Sequence, residues 1–274
     1  AHAVGNAKVK SEASAGDDPT AHLVVASLAM ALPPPKSGLF AENSASTAPV
    51  DSEQVVCVML TQLCEKLDAV REVAGKCLVR LLRTPKSNKM HMRDLPERHV
   101  LFDSLVATAS GKVDQSVNWA HPAHVFPRLL PVLSSPVYFR AVMSGLVIAV
   151  GGLSETIVRE STKIVLQFTK VASTQQLVAL ADCLLSLMRE HAGDDRMAVP
   201  LLKTLLLLLR NGVFESNIFE CPGIKGISGG TSVAQQLLEL SHAEHPSTNV
   251  IKIRLCVDMF LQLLLYCEPV RGKA

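Results

Sequence analysis

The stretch GISGG, residues 226–230, has the GxSxG spacing of a serine nucleophile elbow, with His242, His245 and Asp258 downstream of Ser228. That chemistry needs the serine on a strained turn between a strand and a helix, so that a histidine takes its proton and backbone N–H groups hold the oxyanion. No series of parallel strands is legible here to build such a turn. The order serine, acid, histidine finds only Glu239 or Glu244, on or just after one helix. A serine hydrolase is therefore a remote alternative, and the stretch is expected to be a surface loop. It also lacks the lysine that a phosphate-binding P-loop requires after its last glycine. Two further stretches, HPAH (121–124) and HAEH (242–245), each set histidines three apart, close enough on a helical turn to share a metal ion. Neither comes with an identifiable third ligand, and both sit beside prolines at element ends, so polar loop histidines are expected. The sequence points to no metal, cofactor or catalytic residue.

Between Arg71 and Arg98 lie Lys76, Arg80, Arg83, Lys86, Lys89 and Arg93, a basic face that runs off a helix into a loop. Such a cluster neutralises phosphates or an acidic protein surface, and it lacks the aromatic residues that stack on bases. A solvated helix face is the plainer alternative. The formal net charge is only +2, too mild for a nucleic-acid binder.

The elements that must position these residues are helices. Hydrophobic residues make up 48% of the 274 residues but aromatics only 4%, so the apolar mass is Leu, Val and Ala, a mix that favours helices over sandwiches or barrels. Seven cysteines (57, 64, 77, 183, 221, 256 and 267) form no CxxC pair and mostly fall within apolar helical patterns, which points to a reducing, cytoplasmic setting. The longest apolar runs fall far short of the roughly 20 residues that span a bilayer. Without an initiating methionine or a leader, the chain reads as a piece of something longer.

Residues 1–50 form a Pro/Ser/Ala-rich segment, expected to be flexible, with one short helix at 21–32. From residue 51 to 267 the pattern becomes paired amphipathic helices. The pattern predicts helices over 52–67, 69–83 and 100–109, a short or kinked one at Pro127, and a pair over 136–150 and 155–171, with Ser154 as cap. Further pairs follow at 173–189 with 196–210 and at 232–242 with 249–267, separated by a Gly-rich loop at 221–230; residues 268–274 are a tail. In the 155–171 helix, Ile157, Ile164, Val165, Phe168 and Val171 share a face, while Arg159, Glu160, Lys163 and Lys170 point away.

VREVAGKCL (70–78), VRESTKIVL (158–166) and IRLCVDMFL (253–261) align without gaps on a β-branched residue followed by arginine, with Leu seven beyond it. The arginines are 88 and 95 residues apart, close to twice the about 40–47 residue period of HEAT helix pairs. The first interval should hold a degenerate unit around Pro127, and Arg196 would mark an intermediate helix. HEAT repeats, which these resemble, use an acid and an arginine at the start of the second helix to hold the stack in register. Asp68 stands three before Arg71, but Thr156 and Ile251 fill that slot elsewhere. The expected fold is all-α, a HEAT/armadillo-like solenoid in which stacked pairs bury what one pair cannot. A mean hydropathy of +0.27 fits an apolar end that a neighbouring repeat covers. Arg71 is then expected to be a register mark and not a binding group.

PVYFRAVMSGLVIAVGGLSETIVREST (136–162), with CEKLDAVREVAGKCLVRLL (64–82) upstream and DDRMAVPLLKTLLLLLRNGVF (194–214) downstream, resembles the C-terminal helical-repeat region of the tubulin-folding cofactor D family. The resemblance runs in order from about 51 to 267. It implies a non-enzymatic cytosolic solenoid that captures β-tubulin, assembles or dismantles the αβ-tubulin dimer with cofactors C and E, and binds an Arf-like small GTPase, with no nucleic acid or membrane as partner. Under it, the basic face would meet acidic tubulin. A generic HEAT scaffold in transport or chromosome organisation is the alternative, since repeat geometry alone chooses no partner.

Overall fold

The computed structural model describes residues 52–83, 95–108, 111–112, 114, 116–214, 233–243 and 248–267. The expected helix at 21–32, the loop at 221–230 and the tail at 268–274 lie outside the described residues. Within them the fold is an all-α solenoid with no β-strand.

The helices are α1 (Ser52–Gln62), α2 (Asp68–Arg83), α3 (Arg98–Leu101), α4 (Pro122–Leu129), α5 (Pro136–Val150), α6 (Glu155–Val171), α7 (Thr174–Glu190), α8 (Asp195–Arg210), α9 (Val233–Ala243) and α10 (Val250–Cys267). α1, α5, α8 and α10 pack side by side as one row, each against the next. Sequence neighbours form a second layer, with α2 on α1, α6 on α5, α7 on α8 and α9 on α10, while α4 packs on α6 and α9 on α7. The core is one continuous apolar cluster between the layers, running from Val56 and Leu60 through Leu146, Ile164 and Leu205 to Met259 and Leu263. This is the burial by stacking that the amphipathic stripes require.

Local signals set most boundaries. Ser135 accepts from the Tyr138 backbone N–H at the start of α5, and Ser173 forms a reciprocal capping box with Gln176 at the start of α7. Asp194 accepts from the Arg196 N–H below α8, and the Asn249 side chain accepts from the N–H groups of Ile251 and Lys252 below α10. Where α1 meets α5, a Cβ on Gly145 would stand 2.8 Å from the Cys64 Cβ and 3.0 Å from the Thr61 carbonyl. Only glycine lets those helices approach so closely.

Four expectations need correction. α1 ends at Gln62 and not at Leu67, because residues 63–67 are needed to turn the chain into α2. The helix expected over 100–109 is one α-turn, Arg98–Leu101, widening into a π-helix over Phe102–Val106. Ser154 occupies the N-cap position of α6 but its side chain makes no capping bond. On α6 itself Val171 is exposed at the last turn, whereas Glu160 is buried. Pro127 lies inside α4, and the helix ends two residues later before a 3-10 turn at Pro131–Ser134, in keeping with the expected short helix.

Candidate interaction surface

Arg71 is fully buried near the start of α2. Its Nη1 donates to the Glu65 carbonyl at 2.6 Å, and its Nη2 donates to the Asp68 carboxylate and to the Ala120 carbonyl, 49 residues away. A planar guanidinium with several donors in a fixed fork suits this task, which a lysine would not perform equally. The neighbouring Trp119 ring lies on the bare backbone of Gly75, where a Cβ would come within 2.2 Å of it. Arginine and tryptophan together fasten the segment before α4 onto α2. Arg71 is thus architectural, but through its own loop and the segment before α4 and not as one of three equivalent register marks, which corrects the reading from the repeat.

The other two arginines of the motif are not its equivalents. Arg159 is 64% exposed and, among the described residues, donates to the adjacent Glu160 at 3.2 Å. Arg254 is exposed on α10, a helix of the row that holds α1 and not of the layer that holds α2 and α6. Arg196 is likewise exposed. The inward cation of α10 is Lys252, 3% exposed, whose Nζ lies 2.7 Å from the Asp195 carboxylate on α8. Asn249 donates to the same carboxylate at 2.9 Å. The Lys252 hydrogen bond first, and that of Asn249 second, hold the Asp195 carboxyl below the usual aspartate range. This latch between α8 and α10 was missed in the sequence, where Asp195 falls in the polar turn before the expected helix at 196–210.

On the outward face of α2, Lys76, Arg80 and Arg83 are exposed at i, i+4 and i+7. Lys76 pairs with Glu72 at 2.6 Å one turn earlier. Arg98, the far limit of the basic run, does not extend that face: its guanidinium donates to the Leu82 carbonyl and satisfies the C-terminal end of α2. Tyr138 fixes the same segment, donating to the Pro96 carbonyl at 2.6 Å. Lys86, Lys89 and Arg93 lie outside the described residues. What the structure shows is a three-cation stripe on the outward face of α2.

The chemistry considered for other residues gains no geometry. Ser228, Glu244 and His245 lie outside the described residues, and Asp258 is paired with Arg210 at 3.3 Å. The His121 and His124 rings are 5.4 Å apart, and no group of three His, Cys, Asp or Glu side chains among the described residues is placed to hold a metal ion. Burial pushes the Cys183 thiol up to about 11 and Cys64 well up, so neither supplies a thiolate near neutral pH. No described helix is long and apolar enough to cross a membrane.

A two-layered stack of paired helices defines an all-α solenoid. A family model described as Tubulin folding cofactor D C terminal matches residues 53–251, and the chain belongs to that family. No solved structure matches the chain.

Proposed function

We propose that this chain is a non-enzymatic chaperone module that holds β-tubulin, or the αβ-tubulin dimer, while cofactors C and E and an Arf-like small GTPase assemble or dismantle the dimer. A cytoplasmic location goes with that reading. The observation that carries it is the family match over residues 53–251, which spans the row from α1 to the start of α10. The face we assign to the acidic partner is the α2 stripe of Lys76, Arg80 and Arg83, which stands clear of the core and of the Arg71 node. Shape and distributed contacts do the work, with charge setting the orientation and rate of encounter.

The test is binding of purified αβ-tubulin to the wild-type chain and to the Lys76→Glu/Arg80→Glu/Arg83→Glu variant, at low and at raised salt. The expected result is salt-sensitive capture by the wild type and a loss of about tenfold or more in the variant, with unchanged helicity. Background-level capture by the wild type at low salt would count against the function. Equal capture by both chains would count against the assigned face.

A further inference from the structure

We infer that α6 carries a second cation stripe, and that α2 and α6 together clasp an extended acidic segment of polypeptide laid across α4. The inference rests on the reading of α2 as the face for an acidic partner, and adds to it the form of the ligand and the residues that complete the site.

Arg159, Lys163 and Lys170 are all exposed on α6. At about 100° per residue they fall within about 40° of one another, on the side opposite the buried Ile157, Ile164, Val165 and Phe168. Lys163 and Lys170 make no ion pair among the described residues. α6 lies in the same layer as α2. The helices beneath them, α1 and α5, run parallel, since Thr61 donates to the Ala141 carbonyl at 3.0 Å and a Cβ on Gly145 would meet the Cys64 Cβ. α4 stands between the two stripes: the residues leading into it are fastened on α2 through Arg71, and its body packs on α6.

Beyond their first turns, α2, α4 and α6 expose six cations, and the acids there, Glu72 and Glu160, are paired with Lys76 and Arg159. An ordinary solvated surface intersperses both signs. The excess also has an edge, because the exposed charge of α7, further along the same layer, is Glu190. His121 and His124 lie exposed between the stripes, and these helices expose no ring of Phe, Tyr or Trp on which a base would stack. A ligand of this face is therefore held by charge, as carboxylates spaced along a flexible chain are. Neighbouring helices pack about 8–10 Å apart, so the stripes stand about 20 Å apart with α4 between them. An extended chain covers that span in about six residues. A run of a dozen acidic residues reaches both stripes, and a run of four reaches one.

Fluorescence anisotropy of the full chain with labelled oligoglutamates of four and twelve residues reads this directly. The longer peptide should bind at least about tenfold tighter, and Lys163→Glu/Lys170→Glu should remove most of that advantage with unchanged helical circular dichroism. Gln167→Lys, which adds a cation one turn after Lys163 on the same face, should tighten binding of the longer peptide about two- to threefold. A length advantage that neither α6 change alters overturns the inference. Tighter binding of a DNA duplex or of phosphatidylserine vesicles at the same salt overturns it as well, and gives the face to phosphates. The reading on which it rests is separated by the Lys76→Glu/Arg80→Glu/Arg83→Glu chain. If that chain takes up oligoglutamate and tubulin like the wild type, the α2 face falls; if it loses both while the α6 variants bind normally, only the α6 half falls.

Discussion

α2 and α10 carry the same nine-residue pattern, VREVAGKCL and IRLCVDMFL, and use it in opposite ways. In α2 the arginine points inward and is fully buried; in α10 it is exposed, and the inward position belongs to Lys252, two residues earlier. Two residues on a helix are about 200° apart, so α10 is rolled to its other side relative to the shared pattern. The reason is neighbourhood. α2 lies in the outer layer, where Arg71 must meet the carbonyls of Glu65 and Ala120, whereas α10 lies in the row, where Asp195 waits for a cation at position 252. A short pattern of residue types fixes a helix and a stripe, but the partner decides which charge is taken in.

The largest effect should come from Arg71→Ala, which leaves two carbonyls without their donor and empties a fully buried site. A loss of about 3 kcal/mol is expected from unmet buried groups and lost packing, read as a lower urea midpoint. Gly75→Ala should follow, at about 1–3 kcal/mol for overpacking against the indole. Trp119 is the single tryptophan of the sequence, so a red-shifted emission would show directly that it has been displaced.

Next comes Lys252→Met, which leaves the α8–α10 latch without its cation. Because the Asp195 pKa is depressed in the folded chain, its contribution is fully present above the ordinary aspartate range and is lost as the pH falls below that range through the lowered folded value. The stability gap between wild type and Lys252→Met should therefore be open at pH 7 and close on acidification. Smallest of all, Arg159→Ala and Arg254→Ala should shift stability by no more than about 0.5 kcal/mol, as exposed substitutions do. An effect of Arg254→Ala as large as that of Arg71→Ala would erase the contrast between the two helices.

Helix existence was legible wherever an apolar stripe met a cap or a proline, as at Pro136 and Ser173, because those signals are local. Arg71 was legible as architecture for the same reason, since Asp68 lies one turn away. The roles of Glu160, Arg98 and Lys252 were not. Glu160 was misread: it lies three after Ile157 and four before Ile164, on the edge of the same stripe, so its charge hid a burial that helical spacing already implied. Arg98 and Lys252 find acceptors 16 and 57 residues away. Nothing in the spacing of residue types along the chain encodes those distances. The α2 stripe was half legible: its three helical cations follow from periodicity, while the capping use of Arg98 follows from where the α2 terminus lies.

The contrast between α2 and α10 rests on Arg71 fastening the segment before α4, and amide hydrogen exchange over residues 118–125 tests that most directly in Arg71→Lys and Arg254→Lys chains. A lysine keeps the charge but has one nitrogen, and so lacks the planar fork by which separate Arg71 nitrogens reach the Glu65 and Ala120 carbonyls. Exchange at His121, His124 and Val125 should quicken in Arg71→Lys and stay at the wild-type rate in Arg254→Lys. Unchanged protection in both chains, or equal loss in both, would contradict it.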